Sequence, residues 1–104
     1  MPALPEGAAP YRKTPMFTET TIPAGLLRSH STAAGVWGLI HVLEGRLRYR
    51  VIASGAERIL EPGAPPGVVE PTVLHEVTPL GPVRFYVEFH RQAGSGAAPS
   101  PAAP

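Results

Sequence analysis

Along this chain the apolar positions recur every second residue in short runs, and no long window carries a helical period. The runs are "MFTETTI" (16–22), closed by Pro23, then "GLLRSH" (25–30) and "GVWGLIHVLEGRLRYRVI" (35–52). "ERILEP" (57–62), "GVVEP" (67–71), "HEVTPL" (75–80) and "VRFYVEFH" (83–90) complete the set. Seven or eight short strands separated by Gly and Pro predict an all-β fold, an antiparallel sandwich or barrel. The run 35–52 reads as a hairpin turning at Glu44-Gly45. That register sets Val42 against Leu47, Ile40 against Tyr49 and Gly38 against Val51 on an apolar inner face. It sets His41 against Arg48 and Leu39 against Arg50 on an outer face. In the last run Phe85, Val87 and Phe89 take the core parity, which turns Glu88 outward.

Composition narrows the class. A chain of 104 residues, 43% hydrophobic, suits one domain. Nine Lys+Arg against eight Asp+Glu give a formal charge of +1, which argues against a nucleic-acid partner and against electrostatic membrane attachment. The longest apolar run, "GVWGLIHVL", is far shorter than the roughly 18 residues of a membrane span. The first residues lack the basic and apolar regions of a signal peptide. Without cysteine there is neither a disulfide framework nor a thiolate site, and a cytoplasmic location is expected. Residues 92–104 contain no large apolar side chain and are expected to be disordered. Residues 1–10 are expected to pack loosely, leaving 11–91 as the folded unit.

Four histidines are candidates for chemistry. His41 falls on the outer face of the hairpin, and His90 reads as a solvated strand end. His30 precedes the "STAAG" turn, and His75 follows the Pro71 bend two residues before Val77, whose parity turns the imidazole inward. Two histidines at strand mouths suggest metal ligation, since imidazole binds zinc, iron, copper and nickel. Glu70 and Glu88 are the carboxylate candidates. Arg28 shares strand parity with His30 and offers a cation to an anionic ligand, while Trp37 and Tyr86 suit a pocket wall or an interface. Leu39 and Leu43 among the hairpin arginines make a mixed patch suited to a homodimer contact.

The stretches "LLRSHSTAAGVWG", "VLEGRLRYRV" and "VVEPTVLHEV…GPVRFYVEF", with the opening "LPEGAAPYRKTPMFTETTIPAGLL", resemble the small cupin-like domains of the TehB/YeaR type over about residues 4–91. Such domains occur alone or at the N-terminus of tellurite-resistance methyltransferases. The resemblance implies a single-domain, cupin-like antiparallel β-barrel, a jelly roll with an internal pocket. It implies no methyltransferase in this chain, which ends after the barrel. Aligned on "VLEG", the chain has Gly38 where cupins place a metal-binding glutamate and Thr32 where they place a second histidine. His30 and His75 match the remaining motif histidines, and Glu70 is the expected third ligand, with Glu88 or water as the alternatives. The implied cofactor is a divalent transition metal, zinc foremost, with iron, nickel, manganese or copper open. The expected function is a stress- or tellurite-resistance-related metal-binding cupin that takes a small molecule or oxyanion. The alternative is a dimeric binding or sensing module without turnover.

Overall fold

The computed structural model describes residues 4–5, 7–27 and 31–92. Among them are eight strands: β1 (Ala8–Lys13), β2 (Phe17–Thr18), β3 (Trp37–Glu44), β4 (Leu47–Val51), β5 (Glu57–Leu60), β6 (Gly67–Val69), β7 (His75–Pro79) and β8 (Arg84–Gln92). They form two antiparallel sheets. Sheet A has the order β1-β8-β3-β6, with β2 also on β8, and sheet B has the order β5-β4-β7. Neither sheet closes on itself. The described residues contain no α-helix, and none is part of a helix long and apolar enough to cross a membrane.

Part of the run read as extended at 25–30 folds differently. Ala24–Leu27 make a 3-10 turn opened by Pro23, whose carbonyl accepts the Leu26 N–H at 3.0 Å. Proline suits this place because its fixed φ is helical and it has no N–H to leave unpaired. The turn drops Leu26 into the core, 4% exposed.

The hairpin at 35–52 does not form. β3 pairs with β8 and β6, β4 pairs with β5 and β7, and the chain passes from sheet A to sheet B at Gly45. Gly45 has φ 77, and a Cβ there would stand 2.0 Å from the Pro82 carbonyl oxygen. The turn is thus wedged against the segment that leads into β8. The partners inferred from a two-residue loop are replaced by Ile40↔Val87, Val42↔Phe85 and Leu39↔Glu88 on one side, and by Leu47↔Pro79 and Tyr49↔Val77 on the other.

The inward face survives this change, because alternation is a property of each strand alone. Ile40, Leu47 and Tyr49 are buried, and Val42 packs at the rim of the same core. Phe85, Val87 and Phe89 of sheet A meet Leu47, Leu60 and Val77 of sheet B in one apolar layer. Full burial of each such side chain contributes about 1.5–3 kcal/mol.

The outer faces do not survive it. His41 and Leu39 lie on sheet A, whereas Arg48 and Arg50 lie on sheet B beside Thr78, Glu76 and Glu57. The mixed leucine–arginine patch expected at a homodimer contact is therefore divided between two sheets.

Candidate functional site

The free edges of β5 and β6, each paired on one side only, bound a cleft of about 430 Å³. Its walls are Tyr49 and Val51 of β4, Ser54 and Ala56 of the following turn, Glu57 and Arg58 of β5, and Val68 and Glu70 at β6. The β4–β5 turn is held by the Gly55 N–H on the Val51 carbonyl at 2.9 Å and the Ala56 N–H on Ser54 Oγ at 3.2 Å. The β5–β6 link is clipped to β5 by Arg58, whose guanidinium donates to the carbonyls of Pro65 and Pro66. Glu57 shares Arg50 at 3.8 Å, while Glu70 is exposed and its carboxylate has no ion pair or hydrogen bond among the described residues.

Tyr49 sits at the floor. It is 3% exposed, and its hydroxyl has no hydrogen-bond partner among the described residues. Burial, helped by the negative charge of Glu70, pushes its phenol up to about 12, so it stays protonated at physiological pH. Its ring packs on His75, with centroids 5.5 Å apart.

Beyond Tyr49 lies a second, internal cavity of about 20 Å³, lined by His75, Thr32, Leu26, Ile40, Phe85 and Phe89 among others. That is room for about one water. His75 is buried, 3% exposed, as the parity of Val77 requires. Its Nδ1–H donates to the Val73 carbonyl at 3.1 Å, which fixes the tautomer.

The Pro71 bend that delivers His75 is strained. Thr72 takes φ 62, a left-handed conformation costly for a β-branched residue. It is pinned there by its N–H on the Thr32 carbonyl at 3.0 Å. The same bend places Glu70 at the cleft and His75 in the interior, on opposite sides of a turn in the chain.

A third cluster occupies the outer face of sheet A. His90 Nε2–H donates to Glu88 Oε1 at 2.8 Å, and His41 Nε2 lies 3.5 Å from the same oxygen. The hydrogen bond from His90 holds the Glu88 carboxyl below its usual range, with the two imidazoles' charge adding to the effect. His41 stacks on Tyr86 at 4.8 Å, and Lys13 lies over the other ring at 5.6 Å. His90 is 5% exposed, not the solvated strand end expected of it, and His41 faces Tyr86 and Glu88, not Arg48.

The site residues expected from sequence are dispersed. His30 and Arg28 lie outside the described residues. His75 lines the internal cavity, Glu70 lines the cleft, Glu88 lies on the outer face, and Trp37 stands opposite His90 on that same face. Among the described residues no three His, Cys, Asp or Glu side chains are grouped to hold a metal ion. The expected metal cofactor, whether zinc, iron, nickel, manganese or copper, is therefore corrected. The bend at Pro71 separates Glu70 from His75, and strand parity separates both from Glu88.

From the sequence, Tyr49 reads as a core-facing strand residue and Arg58 as part of the run at 57–62. A tyrosine at a core position, where phenylalanine would serve for packing, was the signal for an opening beside its hydroxyl. The His41–Glu88–His90 cluster needed the β3–β8 pairing, which no local pattern carries.

The chain matches the TehB-like domain family over residues 12–87. Two curated proteins of Haemophilus influenzae, each named probable S-adenosyl-L-methionine-dependent methyltransferase TehB, are 34% and 32% identical to it over 74 residues. That match covers 67% of this chain and 26% of each relative, so the chain spans about a quarter of their length. The crystal structure of TehB from Haemophilus influenzae superposes with a TM-score of 0.76 at 27% identity, over 84% of this chain and 32% of that one. A crystal structure of an E. coli strain K12 protein gives 0.80 at 22% identity, over 88% and 98%, a likeness of fold alone. The relatives are named for methyl transfer, and with no metal-holding group among the described residues the expected function as a metal-binding cupin is corrected as well.

Proposed function

The chain belongs to the TehB-like domain family, and from that premise we propose that it is a small-molecule-binding module working beside S-adenosyl-L-methionine-dependent methyl transfer. The observation that carries this reading is the 74-residue match to one quarter of a protein named for that activity. The cleft supports it, since about 430 Å³ lies within the roughly 300–1,000 Å³ of small-molecule sites.

The described residues do not fit S-adenosyl-L-methionine itself. Every strand pair is antiparallel, with one isolated parallel bridge at Thr32 and Pro71, and no glycine-rich strand-to-helix turn is present among them to cradle a nucleoside. The internal cavity is too small for it. The methyl donor is accordingly assigned to the part of such systems that this domain does not match. We also propose that the two sheets are the halves of a jelly roll. Pairing of β5 with β6 would join sheets A and B along one side, and the cleft is the gap between those edges.

The test is a chimera in which this chain replaces the matching quarter of the Haemophilus influenzae relative. It should turn over with the parent's acceptor. A Tyr49→Phe, Glu70→Gln version should show a raised acceptor KM with the KM for S-adenosyl-L-methionine unchanged. A chimera whose acceptor KM ignores both substitutions would overturn the assignment.

A further inference from the structure

We propose that the β5–β6 cleft binds a small organic cation, an ammonium group on an apolar body, with Glu70 and Tyr49 recognising the charged end. The inference rests on the cleft being a ligand site and adds the class of ligand. Three features of the walls select it.

The first is shape and polarity. Val51, Ala56, Val68 and the Tyr49 ring give the cleft an apolar lining long enough for a short alkyl chain. The second is the charge left over. Arg58 commits its guanidinium to the carbonyls of Pro65 and Pro66, and Glu57 is shared with Arg50. Glu70 alone has no side-chain partner among the described residues, and the cleft walls set two carboxylates, Glu57 and Glu70, against one guanidinium, Arg58. The walls thus carry one more negative charge than positive, which favours a cation over an anion, and the Arg58 donors are already taken by the two carbonyls.

The third is the hydroxyl of Tyr49, a side chain that lines the cleft and whose hydroxyl has no hydrogen-bond partner among the described residues. Its oxygen keeps two acceptor lone pairs while protonated. An ammonium N–H satisfies the phenol oxygen and the Glu70 carboxylate together, whereas an alkane end satisfies neither. The raised phenol value agrees, because Glu70's charge reaches Tyr49.

The experiment titrates the full chain with n-butylammonium, butyrate and 1-butanol, three probes with the same body and different ends, followed by amide NMR shifts. Butylammonium should saturate shifts at Tyr49, Val51 and Val68, and the other two should not. Glu70→Gln, an exposed change that leaves the core untouched, should weaken butylammonium by about ten-fold or more, as expected for a lost charge-assisted hydrogen bond. Tyr49→Phe should weaken it by a smaller factor. Equal binding of butyrate or butanol, no binding of butylammonium, or an affinity indifferent to Glu70→Gln would each overturn the proposal. Butylammonium binding alongside a chimera indifferent to the cleft substitutions would sink the methyl-transfer reading and leave the ligand class standing.

Discussion

Replacing Gly45 by alanine tests the crossover between the sheets. Two costs add. At φ 77 an L-residue sits in the left-handed region, at roughly 1–2 kcal/mol. The new Cβ would also stand 2.0 Å from the Pro82 carbonyl oxygen and 3.0 Å from Val83 Cα. Carbon and oxygen ordinarily approach no closer than about 3.3 Å, so this backbone must retreat by more than an ångström. It is not free to do so. The Val83 N–H donates to Glu19 Oε1 at 3.0 Å, Val83 is 2% exposed, and β8 begins at the next residue. Overpacking of this kind costs about 1–3 kcal/mol. The sum, about 2–5 kcal/mol, is a large part of the 5–15 kcal/mol typical of a domain. Gly63→Ala is the control, with φ 84 but nothing within 4 Å of its Cβ. It should lose only the conformational part. Urea unfolding of both variants reads the difference directly. Equal losses, within about 0.5 kcal/mol, would refute the close approach as the reason for glycine at 45.

Three further outcomes follow from the described contacts. In an ultraviolet titration one of the three tyrosines should hold its proton to about 12. Because its folded value is raised above 10.0, its stabilising contribution is full below pH 10 and is lost as pH climbs towards 12, and Tyr49→Phe should remove that loss. Glu88 has the opposite sign. Its folded value lies below 4.5, so its contribution is present above 4.5 and disappears as pH falls through the lower folded value, and Glu88→Gln should flatten urea midpoints across that acid range. Ile40→Ala, at a side chain 2% exposed that lines the internal cavity, should cost about 2–5 kcal/mol, and a loss under about 1 kcal/mol would mean the interior collapses to fill the space.

What could be read in the sequence divides along a physical line. Period-two alternation belongs to a single strand, so the inward faces of Ile40, Leu47, Tyr49, Phe85 and His75 were legible residue by residue. Which strand lies beside which depends on contacts between distant residues. "VLEG" looks like a tight turn locally, yet there the chain crosses into the other sheet, with Gly45 against the Pro82 carbonyl, a contact between residues far apart in sequence. The site suffered from the same division. His30 and His75 were joined through a family pattern, yet the carboxylates that should complete the set belong to different surfaces. Tyr49 and Glu70 converge through β4 and the end of β6, which share no ladder. A pocket made by two strand edges that do not meet leaves no local signature.

The position of β8 in sheet A governs when this protein can fold. β8 lies between β1 and β3 and also holds β2, yet it is the last of the described strands in chain order. While residues 84–92 are still inside the ribosome, β1 and β2 have no ladder to join. Sheet B is contained within residues 47–79 and has all its partners earlier. A nascent chain therefore holds one edge of β3 without its ladder partner until β8 emerges. Closing the ladder between Ala8 and Gln92 then brings together residues from opposite ends of the described fold, the long-range contact that makes β proteins slow to fold.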